Sequence, residues 1–109
     1  FILEATKEVP RRVSHPQRKT IGLRVPKHTV LQELLALHGA PLLAATLILP
    51  GDEGPLNAPE EIRERLEHQV GAVIDAGACS LAPTTVVDMS GDTPEILRQG
   101  QGDPALLGL

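Results

Sequence analysis

Aromatic side chains are almost absent from this chain of 109 residues: Phe1 is the single one, with no Trp and no Tyr. RNA-recognition motifs and base-stacking OB-folds need several aromatic platforms, so the composition argues against both. Cysteine is equally scarce. Cys79 stands alone, which rules out an intramolecular disulfide. No histidine or acidic partner stands near it at a spacing that would suggest a nucleophile, so it reads as a small apolar residue, buried or half-buried. Long hydrophobic runs are missing too. The longest, Leu42 to Leu49, contains Thr46 and lies between Pro41 and Pro50. That is far short of the roughly 18 apolar residues needed to span a bilayer. The opening residues Phe1-Ile2-Leu3-Glu4 carry no basic signal-peptide region, and a cytoplasmic location is the default expectation. The chain starts without Met, directly in a strand-like run, and reads as a fragment of a longer protein.

What is present fits one domain at most, with an apolar fraction of 41% supplied by Leu, Ala, Val and Ile. The net charge of −4 is unevenly spread. Residues 7 to 27 hold Lys7, Arg11, Arg12, Arg18, Lys19, Arg24 and Lys27 against Glu8 alone, a net of +6 that leaves −10 for the remainder. Such asymmetry suggests one side facing a polyanion and one that solvates. A basic surface loop between two strands explains Arg11, Arg12 and Arg18 equally well.

Phe1 to Thr6 reads as a strand. Pro10 and Pro16 bracket a connector that cannot be a helix interior, and Ile21 to Val25 reads as a buried strand with a polar end. Thr29 to His38 is a helix, with Thr29 and Gln32 as a capping box and Gly39 as the residue that ends it. Leu42 to Leu49 is ambiguous, but eight residues between prolines fit a buried strand better than a helix. A second helix is expected from Asn57 to about His68, with Asn57 and Glu60 as its cap and Pro59 in its first turn. Glu60–Arg63 and Glu61–Arg65 stand at helical pairing distances and mark a solvated face. Val70 to Asp75, Thr84 to Met89 and Glu95 to Arg98 read as three further short strands. Strands mixed with two helices imply an α/β or α+β layer structure, a mixed sheet with flanking helices.

Three motifs carry polar residues at strand ends: Arg18-Lys19-Thr20-Ile21-Gly22-Leu23-Arg24-Val25-Pro26, Pro83-Thr84-Thr85-Val86-Val87-Asp88, and Ile96-Leu97-Arg98-Gln99-Gly100-Gln101-Gly102-Asp103. Arginines and a threonine pair so placed are how an α/β protein builds an anion-binding cleft. Arg24 inside an apolar strand needs an anion or a cage of acceptors. It is either a carboxylate- or phosphate-binding residue or one half of an internal salt bridge to Asp88 or Asp75. Thr84 and Thr85 suit a strand on propensity alone, but a hydroxyl at a strand's start can also hold a phosphate or carboxylate oxygen. Asp88 can order the site or cap a turn with Ser90 and Gly91. Arg98 can clamp a phosphate, and the glycines after it let backbone approach a ligand. No helix is expected after this Gly-x-Gly, so it is neither a Rossmann nor a P-loop fingerprint. His15, His28, His38 and His68 show no metal-ligand spacing, and no metal site is assigned to them.

The order and wording of these motifs resemble the YrdC/YciO family, and most closely its YciO branch. The similarity is dense from Thr6-Lys7-Glu8-Val9-Pro10 through Val25-Pro26. It resumes at Pro41 to Gly51, at Pro59-Glu60-Glu61-Ile62 and from Pro83 to Asp103. The match is to the family's C-terminal half, so residues 1 to 109 are expected to form the C-terminal portion of a single YrdC-like domain. The resemblance implies a twisted mixed α/β sheet with a concave, positively charged cleft. Relatives bind ATP, L-threonine and bicarbonate there, form L-threonylcarbamoyladenylate with release of pyrophosphate, and serve tRNA modification. ATP is thus the expected substrate, Mg²⁺ would arrive only with the nucleotide, and no tightly bound cofactor is expected.

By position, Arg24 would contact the threonine carboxylate or a phosphate. Thr84 would take the place of a pocket hydroxyl, and Arg98 would lie near the nucleotide phosphates. The synthase branch carries a Ser-x-Asn signature where this chain has Thr46 and Ile48. Thr46 keeps a hydroxyl; Ile48 can make no such bond, a trait shared with the YciO branch. The synthases' Lys-x-Arg pair belongs to the N-terminal half, which this chain does not match. Two function classes follow. One is part of a nucleotidyltransferase-like enzyme, inactive as this piece alone. The other is a non-catalytic double-stranded RNA or tRNA-binding module using Arg11, Arg12, Arg18 and Lys19.

Overall fold

The computed structural model describes all residues from Phe1 to Leu109. They divide into two compact units. The first, Phe1–Val25 with Ala82–Leu109, holds a four-stranded sheet. Its strands are β1 (Ile2–Glu4), β2 (Thr20–Gly22), β3 (Val86–Asp88) and β4 (Glu95–Arg98), in the order β2-β1-β3-β4. β1 pairs antiparallel with β2 and parallel with β3, and β3 pairs antiparallel with β4. The sheet is therefore mixed, as expected. The parallel β1–β3 pair requires a long crossover, because parallel neighbours cannot be joined by a hairpin. Val87 of the inner strand β3 is 3% exposed and anchors this unit, whereas every residue of the edge strand β4 is exposed.

The β1–β2 connection is ordered by its own backbone. Arg11–Val13 form a short 3₁₀ turn, and the Ala5 amide donates to the Lys19 carbonyl at 2.8 Å. His15 organises the return. Its Nδ1 accepts from the amides of Gln17 and Arg18, and its own amide donates to the Thr20 carbonyl at 2.7 Å.

The second unit, Pro26–Leu81, contains both helices, α1 (Thr29–His38) and α2 (Pro59–Leu66). α1 has the expected span, and Gly39 ends it in the left-handed region at φ 71°. Its cap differs from the expected box. Thr29 is already helical, so His28 is the capping residue, with its Nδ1 accepting from the Leu31 amide at 3.4 Å. Gln32 does reach back, but its Nε2 donates to the Pro26 carbonyl at 2.7 Å. α2 is shorter than expected. Ala58 precedes it without a side-chain cap, because the Asn57 Oδ1 accepts instead from the Cys79 amide at 2.6 Å. Pro59 opens the helix where its missing N–H costs nothing. Arg65 pairs with Glu61 as foreseen, but also holds Asp52 through two hydrogen bonds; Arg63 pairs with Glu67 rather than with Glu60. Leu66 is the buried residue of this unit.

Three further expectations are corrected. Leu42 to Leu49 forms neither strand nor helix, since no neighbouring strand completes a ladder for it. Val70 to Asp75 is likewise irregular; the Asp75 carboxylate instead accepts from the Gly77 amide in a tight turn. Cys79 is exposed, not buried. No helix is long and apolar enough to cross a membrane.

Candidate functional site

In the sheet-bearing unit, the segment entering β3 and the segment leaving β4 lie side by side. The antiparallel register that sets Val86 opposite Arg98 brings Thr84 and Thr85 against Arg98 to Gly102. Arg98 Nε donates to the Thr84 carbonyl at 2.9 Å, and its Nη2 donates to Thr84 Oγ1 at 3.3 Å. Thr84 is half-buried and Arg98 exposed. A guanidinium offers five N–H donors in a fixed plane. Two are spent on orienting it, and the rest remain for an anion.

Thr85 performs the complementary task. Its Oγ1 accepts from the Gly100 amide at 2.9 Å and donates to the Gly102 carbonyl at 2.6 Å. One hydroxyl thus ties both ends of the Gly100-Gln101-Gly102 turn. The Gln101 amide donates to the Pro83 carbonyl at 3.0 Å, and the Gln101 side-chain amide to the Ala82 carbonyl. Gly100 is indispensable here: a Cβ built on it would lie 2.1 Å from the Pro83 oxygen and 2.7 Å from the Thr84 carbonyl carbon.

At the far end of β3, the Asp88 carboxylate accepts from both the Ser90 hydroxyl, at 2.6 Å, and the Ser90 amide, at 2.9 Å. These bonds hold its carboxyl below the usual carboxylate range, chiefly the hydroxyl bond, with a smaller contribution from the Arg18 charge. Asp88 therefore caps a turn with Ser90, one of its two anticipated roles.

Arg24 does not lie inside a strand, because β2 ends at Gly22. The side chain is exposed, and neither anticipated salt bridge forms. Asp88 is taken by Ser90 and Asp75 by Gly77. Thr46 and Ile48 are exposed in the irregular segment of the other unit. Arg11, Arg12, Arg18 and Lys19 are exposed along the β1–β2 connection. The structure thus joins Thr84 and Arg98 and adds Thr85 to them. The sequence offers Thr85 beside Thr84 as a possible anion-holding hydroxyl; its role in tying the Gly100–Gly102 turn has no local signal, because both of its partners lie 15 or more residues away.

Comparison with known proteins agrees with this motif set. The family model for Sua5, YciO and YrdC, described as "Telomere recombination", matches residues 1–100. The uncharacterized protein YciO of Escherichia coli K12 is 50% identical over 103 residues, covering 94% of this chain and 50% of that protein. A putative threonylcarbamoyl-AMP synthase of Mycobacterium tuberculosis H37Rv is 38% identical over 82 residues, covering 74% of this chain and 37% of that protein. The crystal structure of E. coli YciO superposes with a TM-score of 0.83 at 50% identity, over 95% of this chain and 50% of that one. The α+β fold is therefore that of YciO, and the chain spans about half the length of these relatives. With the model matched over residues 1–100 and a relative half identical across nearly the whole chain, this protein belongs to the Sua5/YciO/YrdC family.

Proposed function

We propose that this chain supplies the anion-binding part of a threonylcarbamoyl-AMP synthase-like enzyme. It would act on ATP together with L-threonine and bicarbonate, and would serve tRNA modification. The observation that carries this reading is the Arg98–Thr84 pair. An exposed guanidinium is held by two hydrogen bonds and keeps donors free for phosphate oxygens. Arg24, exposed and unpaired with Asp88 or Asp75, is a second cation suited to a carboxylate or phosphate. Any Mg²⁺ would enter with the nucleotide. Chemistry of this type is positioning plus electrostatic stabilisation of charged oxygens.

The test is calorimetric titration of ATP, with and without L-threonine and bicarbonate, into the protein at the full length of its relatives. Arg98→Ala removes charge-assisted hydrogen bonds worth about 1.5–3 kcal/mol, so affinity should fall about 10- to 100-fold. Unchanged affinity in both Arg98→Ala and Arg24→Ala would sink the proposal.

A second reading, a double-stranded RNA or tRNA surface, rests on Arg11, Arg12, Arg18 and Lys19 exposed on a connection that His15 orders. It requires affinity that falls steeply with salt, because phosphate neutralisation releases counterions. A flat salt dependence excludes it.

A further inference from the structure

Thr46 and Ile48 stand where the synthase branch carries its Ser-x-Asn signature, yet no sheet ladder holds them, because residues 42 to 49 form neither strand nor helix. A side chain on irregular backbone is placed only as well as the contacts that order that backbone. Here those contacts can be traced. Leu49 to Asp52 make a tight turn: the Asp52 amide donates to the Leu49 carbonyl at 3.0 Å. Pro50 takes its second position, and Gly51, at φ 86°, supplies the left-handed conformation its third position requires. The chain then returns, and the Leu56 amide donates to the Leu47 carbonyl at 2.9 Å. Residues 47 to 56 are therefore a loop whose neck lies one residue from Thr46.

The tip of this loop is clamped from α2. Arg65 Nη1 and Nη2 donate to Asp52 Oδ2 and Oδ1 at 3.0 and 3.3 Å, a bidentate geometry that fixes both partners. Glu61, one turn earlier on the same helix, lies 3.7 Å from the guanidinium and steadies it. Most ion pairs on a protein surface contribute little, and Arg63–Glu67, with side chains 77% and 45% exposed, is of that kind. Arg65–Asp52 differs. Its side chains are 36% and 23% exposed, it grips both carboxylate oxygens, and it joins residues 13 apart. The helix end that carries it is anchored by the buried Leu66. At the loop's exit, Asn57 Oδ1 accepts from the Cys79 amide at 2.6 Å and fixes that side as well.

We infer that Arg65 is a positioning residue for the Thr46–Ile48 segment. Through Asp52 it holds the loop whose neck sets where the Thr46 hydroxyl stands for a substrate. Arg65 itself touches no substrate. Lysine cannot take its place, because a single ammonium does not grip two oxygens in one plane. The inference rests on the synthase-like reading, but it uses neither Arg24 nor Arg98.

The test uses the protein at the full length of its relatives. Arg65→Met should speed exchange of the Asp52 and Leu56 amides about fivefold or more. Arg65→Lys should restore little of that protection, and Arg63→Met, the control on the same helix, should leave it unchanged. Affinity for ATP in the presence of L-threonine and bicarbonate should fall about 2- to 10-fold in Arg65→Met and in Thr46→Val. The double variant should bind no more weakly than the weaker single one, because both changes act through one hydroxyl. A purely structural role for Arg65 gives additive losses instead. Additive losses, unchanged exchange in Arg65→Met, or unchanged affinity in either single variant overturns the inference, while affinity lost in Arg98→Ala keeps the synthase-like reading standing. Affinity unchanged in both Arg98→Ala and Arg24→Ala sinks that reading, and the inference with it.

Discussion

Gly100→Ala is the sharpest perturbation this structure offers. The added Cβ would sit 2.1 Å from the Pro83 oxygen, 2.7 Å from the Thr84 carbonyl carbon and 2.8 Å from the Pro83 carbonyl carbon. All three are backbone atoms, so no side chain can swing aside. The two segments must separate by about 1 Å or more, and forced backbone shifts of this kind cost about 1–3 kcal/mol. Separation also strains two hydrogen bonds that join them, Gly100 amide to Thr85 Oγ1 and Gln101 amide to Pro83 carbonyl. Each is worth about 1 kcal/mol. The expected destabilisation is thus about 3–5 kcal/mol, which is a 100-fold to several-thousand-fold rise in local opening. Amide hydrogen exchange at Val86–Asp88 reads this directly and does not require the whole chain to unfold as one unit. Gly54→Ala is the control, since a Cβ there meets nothing within 4 Å. Exchange in Gly100→Ala within about threefold of the parent would show that the two segments are not in the close approach described, and the site would have to be redrawn.

Thr85→Val keeps the shape of the side chain but leaves the Gly100 amide and the Gly102 carbonyl without their shared partner; a loss of about 1–3 kcal/mol is expected, largely restored by Thr85→Ser, with β3 amide exchange as the measure. For Asp88, the folded-state pKa lies below the unfolded one, so the folded state holds fewer protons. Its stabilising contribution is full above the ordinary carboxylate range and is lost as pH falls through the folded-state pKa. In an NMR titration the Asp88 carboxyl should therefore protonate below the unpaired carboxylates. Ser90→Ala should move that midpoint up toward the ordinary value; a midpoint that stays put would refute the hydroxyl bond as its main cause.

Local rules read from the sequence succeed where the stabilising partner lies within a few residues. α1 takes its foreseen span because its apolar spacing and Gly39 are both local signals. β4 spans Glu95–Arg98 as foreseen because turn residues bound it on both sides. Asp88 caps with Ser90 two residues on, an arrangement visible in the string itself. The YrdC/YciO motifs are likewise linear, so the family is legible in the sequence itself. Tertiary structure decided the rest. Leu42–Leu49 and Val70–Asp75 look like strands, but a strand exists only where a neighbour completes its ladder, and none does. The cap expected from Asn57 is lost to the distant Cys79 amide, and in place of the salt bridge weighed for Arg24 the Asp88 and Asp75 carboxylates accept from nearby donors, Ser90 and the Gly77 amide. Thr85 owes its role to a register that brings together residues 15 to 17 apart. Composition and periodicity determine which elements this chain can form. Pairing across the sheet determines which hydroxyls and guanidinium groups meet, because a hydrogen bond depends on distance in space and not on separation along the chain.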